Sequence, residues 1–123
     1  MTGIKVLLVD DEQEFTGALA ERLELRDYSV QTVDNGEDGL LAVENNPPHI
    51  VVLDLKMPGL SGLEVLKRIK SQHPDLPVLL LTGYGSTEEG IKGMQLGAMD
   101  YMMKPLNIDE LIGKLQEAAG KRT

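Results

Sequence analysis

The stretch Ile50-Val51-Val52-Leu53-Asp54-Leu55 decides the fold. Four apolar residues in succession, three of them β-branched, read as a strand buried on both faces. Asp54 stands where that strand should end, and Lys56-Met57-Pro58-Gly59 turns the chain directly afterwards. A carboxylate at the mouth of a buried strand is costly without a use or a partner. The rest of the chain can be read as building around it.

Other runs repeat the pattern. Ile4-Lys5-Val6-Leu7-Leu8-Val9 is a second buried-strand run, closed by Asp10-Asp11-Glu12. A helix follows, with Phe15, Leu19 and Leu23 at i, i+4, i+8 and Ala18 beside them. Its acids Glu12 and Glu14 lie in the first turn, where the helix dipole favours them. Ser29 to Val33 alternates, as a half-exposed edge strand does. Asn35-Gly36 turns into a helix carrying Leu40, Leu41 and Val43, stopped by Asn46-Pro47-Pro48. After the Asp54 strand, Ser61-Gly62-Leu63-Glu64 is a capping box opening a third helix, with Leu63, Leu66 and Ile69 inward. Val78 to Thr82 is the fourth strand. Ser86-Thr87-Glu88-Glu89 is a second capping box, opening a helix that ends at Gly97. Met99 to Met103 is a short fifth strand, and Asn107 caps a last helix with Ile108, Leu111, Ile112 and Leu115 at helical spacing.

Strand and helix thus alternate five times, which predicts an α/β domain with a parallel sheet and helices on both faces. Right-handed crossovers favour the flavodoxin-like doubly wound order 2-1-3-4-5. One domain over residues 1–123 suits this length. The formal charge of −8 argues against direct nucleic-acid binding. The absence of cysteine excludes disulfides and thiolate chemistry. There is no run of ~18 apolar residues to span a membrane and no signal peptide, so a cytoplasmic domain is expected. His49 and His73 read as surface histidines, and the six methionines as core filler.

In such sheets, sites form beyond the carboxyl ends of the strands. Asp10 and Asp11 end strand 1, Asp54 strand 3, Thr82 strand 4 and Lys104 strand 5, so all converge on one rim. Singly each is ordinary: Asp-Asp after a strand is most often a turn and a helix cap, and Lys104 before Pro105 a solvated lysine. Their joint placement is the signal. Carboxylates that close repel by about 4 kcal/mol per pair at ~4 Å and an effective dielectric of ~20. Either some are protonated or a cation sits among them. With oxygen ligands only, Mg²⁺ is favoured. Lys104 and Thr82 offer a charge and a donor suited to phosphate, and Asp54 is then a nucleophile for an aspartyl phosphate.

The set Val9-Asp10-Asp11-Glu12, Asp54 to Gly59, Thr82-Gly83 and Tyr101 to Lys104-Pro105 resembles the receiver domain of bacterial two-component response regulators, over Lys5 to about Ala119. The resemblance implies that Asp54 takes a phosphoryl group from a sensor histidine kinase or phosphotransfer protein. It implies Asp11, Asp54 and the Lys56 backbone carbonyl as direct Mg²⁺ ligands, and Asp10 as a ligand through water. Thr82 and Lys104 match the phosphoryl-binding switch residues, and Tyr101 the aromatic rotamer switch. The Lys104-Pro105 bond matches a position that is usually cis. Lys56 and Tyr84 stand at variable positions that tune hydrolysis. Leu81 to Glu89 is similar to receivers preceding σ54-dependent transcription activators.

Other functions fit less well. A haloacid-dehalogenase-type phosphatase needs a second Asp where Lys56 stands. A flavin or nucleotide carrier needs a phosphate loop where Asp10-Asp11-Glu12 would repel one. A phosphate-independent binding module would usually have lost one of the acids or the lysine, and none is lost. The helix from Ser86 to Gly97 is expected to be the least stable and the switching element, with strand 5 and helix 5. It holds Gly90 and Gly93, and its anchors are only Ile91, Met94 and Leu96. Its repacked face could pair two domains or dock an effector.

Overall fold

Apolar runs and amphipathic segments alternate through ten elements: β1 (Lys5–Val9), α1 (Gln13–Glu24), β2 (Ser29–Val33), α2 (Gly36–Asn45), β3 (Ile50–Asp54), α3 (Gly62–Gln72), β4 (Val78–Thr82), α4 (Thr87–Gln95), β5 (Asp100–Met103) and α5 (Ile108–Gly120). They are seen in a computed structural model, which describes residues 3–83 and 87–120. Tyr84 and Ser86, the latter opening the second capping box, lie outside the described residues.

All four strand pairings are parallel and the order is β2-β1-β3-β4-β5, as the sequence predicts. The two faces of the sheet take alternate residues of each strand. Leu7, Val9, Val51, Leu53, Val78 and Leu80 pack under residues of α2 and α3, among them Val43, Val65, Leu66 and Ile69. Val6, Leu8, Ile50, Val52, Leu79 and Leu81 pack under α1 and α5, through Leu19, Leu23, Leu111 and Leu115. The central strands β3 and β4 are buried at every residue, whereas β2 has no buried residue, which makes it the edge its alternation announces. Register fixes what leaves the sheet together. Val9 is opposite Leu53, so the next residues, Asp10 and Asp54, emerge side by side.

Helix starts follow local chemistry. Asn35 accepts from the Asp38 N–H, Ser61 from the Glu64 N–H and Asn107 from the Glu110 N–H. Only half of the Ser61 capping box forms, because the Glu64 carboxylate pairs forward with Arg68 at 3.1 Å. Ala18 and Leu41 are exposed rather than inward, each lying off the apolar stripe of its helix. The histidines are not plain surface residues. His49 and His73 are half-buried, and His49 Nδ1 accepts the Lys5 backbone N–H at 2.8 Å. The Lys104-Pro105 bond is cis.

The packing of α4 inverts its sequence reading. Ile91, Met94 and Leu96 are not anchors but are 50%, 41% and 39% exposed. The glycines form the buried face instead. A Cβ on Gly90 would lie 2.8–3.0 Å from three ring carbons of Tyr101, and one on Gly93 would lie 2.1 Å from Leu80 Cδ1. The helix therefore rests on β4 and β5 through bare backbone. Two effects oppose each other at Gly93: alanine gains about 1 kcal/mol of helix propensity, and overpacking costs about 1–3 kcal/mol. The overlap with Leu80 is deep, so Gly93→Ala is expected to destabilise the protein by about 1–2 kcal/mol net. Urea unfolding checks this, and a stabilised variant would show that α4 is free to lift.

Candidate functional site

The rim of the sheet is built from the ends of β1, β3 and β5. Asp10 and Asp54 are both buried, at 2% and 3% exposure. Each carboxylate is fixed by the chain just beyond it: Asp10 Oδ1 accepts the Glu12 N–H at 2.9 Å, and Asp54 Oδ1 accepts the Lys56 N–H at 3.2 Å. Lys104 reaches in from the end of β5, where its backbone N–H is held by the Thr82 carbonyl at 2.8 Å. Its Nζ stands 2.5 Å from Glu12 Oε1, 2.8 Å from Asp10 Oδ2 and 3.6 Å from Asp54 Oδ2. The same ammonium lies 4.6 Å from the centroid of the Phe15 ring.

Not every predicted site residue joins this cluster. Asp11 is exposed, outside the group of carboxylates that face one another. The Lys56 side chain is exposed, and its contribution here is the N–H to Asp54. Thr82 is fully buried, and its hydroxyl donates to the Met102 carbonyl at 3.4 Å. Tyr101 is half-buried, its ring against α4. Glu12 takes a place that the sequence reading gave to the helix dipole alone. The signal for it was the third acid of Asp10-Asp11-Glu12, opposite a lysine-ended strand.

Among the described residues, Asp10, Glu12 and Asp54 can each offer one oxygen such that all lie within 4.8 Å of one another. Asp10 Oδ2 is buried, with the Lys104 ammonium 2.8 Å away. An all-oxygen donor set of clustered carboxylates, two of them buried, fits a hard divalent cation. A second constraint fixes Asp54. A Cβ on Gly62 would lie 2.6 Å from Leu55 Cα and 2.7 Å from the Asp54 carbonyl oxygen, so only glycine lets α3 start against the end of β3.

Comparison with known proteins identifies this arrangement. A match to the response regulator receiver domain family spans residues 6–116. The chain belongs to that family. The receiver is 38% identical over 113 residues to the response regulator MprA of Mycobacterium sp. (strain KMS), covering 92% of this chain and 49% of that protein. It is 40% identical to the uncharacterized transcriptional regulatory protein YkoG of Bacillus subtilis (strain 168), covering 92% and 50%. The chain thus spans about half the length of the curated relatives it matches. Among solved structures it resembles the receiver domain of NtrX from Brucella abortus, with a TM-score of 0.89 and 33% identity, covering 94% and 98%. A receiver domain protein from Clostridium thermocellum gives 0.91 and 33%, covering 97% and 96%. Membership implies phosphorylation-dependent signalling. No helix among the described residues is long and apolar enough to cross a membrane.

The receiver's charges are held in conflict. Asp54 is pushed up to about 6, first by burial and then by the charge of Asp10, against the opposing pull of the Lys56 N–H and of Lys104. Burial works against the Lys104 ammonium, but hydrogen bonds to Asp10 and Glu12 and the charge of Asp54 outweigh it and raise its pKa. A folded pKa above the unfolded value of 3.8 means that the folded state binds the Asp54 proton more tightly. That contribution to stability is complete below the unfolded value and is lost as pH rises through about 6. In metal-free protein, Asp54→Asn should therefore be more stable than wild type by about 3 kcal/mol at pH 8. The gap should close near pH 4, as urea unfolding at both pH values will test. A pH-independent gap would assign the effect to packing.

Proposed function

We propose that this receiver accepts a phosphoryl group on Asp54 in a Mg²⁺-dependent reaction. The single observation that carries the reading is a buried strand-end carboxylate beside a second one, with a lysine ammonium 3.6 Å away. Asp54 attacks the phosphorus of a phosphohistidine on a sensor histidine kinase or phosphotransfer protein. The new O–P bond replaces the P–N bond, and the leaving imidazole takes a proton from solvent. Asp10, Asp11, Asp54 and the Lys56 carbonyl would hold Mg²⁺, Asp10 through water. When bound, the ion supplies neutralisation of the carboxylates and of the phosphoryl oxygens. Lys104 pairs with a phosphoryl oxygen, and the Thr82 hydroxyl turns from Met102 to donate to another. Chemistry of this kind makes the domain a phosphoacceptor that assists its own modification.

Incubation with acetyl phosphate and Mg²⁺ should add one phosphoryl mass to wild type and none to Asp54→Asn. Equal labelling of the variant would move the acceptor elsewhere. Labelling without any divalent cation would remove the metal from the reaction.

The output runs through α4, β5 and α5. Movement of Thr82 leaves room for Tyr101 to turn, and the Tyr101 ring lies on the backbone of α4 at Gly90. The exposed Ile91, Met94, Leu96 and Met103 support a face that pairs two receivers or docks an effector. Relatives named as transcriptional regulators support control of transcription as the output. In hydrogen exchange, α4 amides should exchange faster than those of α3 and should change most on phosphorylation. An α4 as protected as β3 in both states would exclude it as the switch.

A further inference from the structure

The three carboxylate neighbours of Lys104 are not equivalent. Asp10 and Asp54 are buried, and each also accepts a backbone N–H. Glu12 is exposed and yet makes the shortest contact, 2.5 Å against 3.6 Å to Asp54. Its position makes this notable. Glu12 is the N-cap residue of α1, where Ser, Thr, Asp or Asn would accept a helix N–H, and its side chain makes no cap hydrogen bond. The carboxylate crosses instead to a lysine 92 residues further along the chain. Phe15, also on α1, lies under the same ammonium. Two side chains at the start of α1 thus contact the Lys104 ammonium.

We propose that Glu12 is a positioning residue that tethers the Lys104 ammonium in the unmodified protein and so opposes its transfer to a phosphoryl group. The proposal rests on the reading of Asp54 as phosphoacceptor. A direct ammonium–phosphoryl hydrogen bond needs about 2.7–2.9 Å. An ammonium already paired with Glu12 at 2.5 Å and Asp10 at 2.8 Å must share its donors with a phosphoryl oxygen, and the Glu12 carboxylate competes for them. Glu12 thereby biases the domain towards its resting state. Its exposure limits the effect, since exposed pairs shift equilibria by up to about fivefold.

Beryllofluoride, a trigonal anion that coordinates carboxylate oxygen, serves as the phosphoryl mimic. Wild type, Glu12→Gln, Glu14→Gln and Asp54→Asn are titrated with it at saturating Mg²⁺ and followed by NMR. Glu14 carries the same charge two residues on, exposed, so its variant controls for bulk electrostatics. Glu12→Gln should bind beryllofluoride about threefold to fivefold more tightly than wild type, with Glu14→Gln nearly unchanged. Before any anion is added, the Lys104 ε-methylene should be more mobile in Glu12→Gln. Equal tightening in both glutamate variants, or unchanged or weaker binding in Glu12→Gln, overturns the tether; weaker binding would make Glu12 a metal ligand. If wild type and Asp54→Asn bind alike, the reading of Asp54 falls and the proposal falls with it. If only Asp54→Asn fails to bind and Glu12→Gln matches wild type, the tether alone falls.

Discussion

The parallel register of β1 on β3 forces two carboxylates together. Val9 opposite Leu53 leaves no freedom in where Asp10 and Asp54 emerge. Both are shut from water by the strands and helices around them. Two such charges cannot coexist there without a cation, and in this protein the resident cation is Lys104. The demand reaches outward through the fold. Lys104 must arrive at the rim, so β5 must lie beyond β4, and its backbone must be pinned to the Thr82 carbonyl. Gly62 must be glycine so that α3 can begin against the Asp54 carbonyl. Site and sheet are one construction.

Much of this was legible from the sequence because apolar continuity and polar strand ends are strong signals. Three continuous apolar runs marked β1, β3 and β4, and the alternation of Ser29 to Val33 marked the edge. Once the order followed, the convergence of Asp10, Asp54 and Lys104 came with it. What stayed hidden depends on side-chain direction, which spacing does not encode. Glu12 looked like a helix-dipole acid because first-turn acids usually are. Nothing in the sequence said that the Thr82 hydroxyl faces Met102 or that Asp11 points outward. The convergence of Asp10, Asp54 and Lys104 follows from strand ends, whereas the direction of the Glu12 side chain, at a helix start, does not.

The anchors expected of α4 were misplaced for a related reason. Propensity treats glycine as a cost and large apolar residues as anchors. On a flat sheet crowded by Leu80 and Tyr101, closeness of approach decides instead, and glycine gives the closest approach. The apolar residues are then displaced to the outer face, where Ile91 and Met94 meet solvent. The two errors are one error, because burying the glycines turns the helix and exposes the large residues. Among the described side chains of α4, none belongs to either core cluster.

The rim and α4 share a physical logic. At the rim, an ammonium is divided among three carboxylates, and no carboxylate has it alone. At α4, a helix rests on a ring and a leucine by contact rather than by interlock. Each holds because the surrounding sheet is rigid, with β3 and β4 buried along their whole length. Thr82 and Tyr101 lie on the path between the rim and α4: Thr82 is bonded to the carbonyl of Met102, the residue next to Tyr101, and the Tyr101 ring touches Gly90. A change of charge on Asp54 that draws the Thr82 hydroxyl away from that carbonyl therefore acts one residue from the ring on which α4 rests.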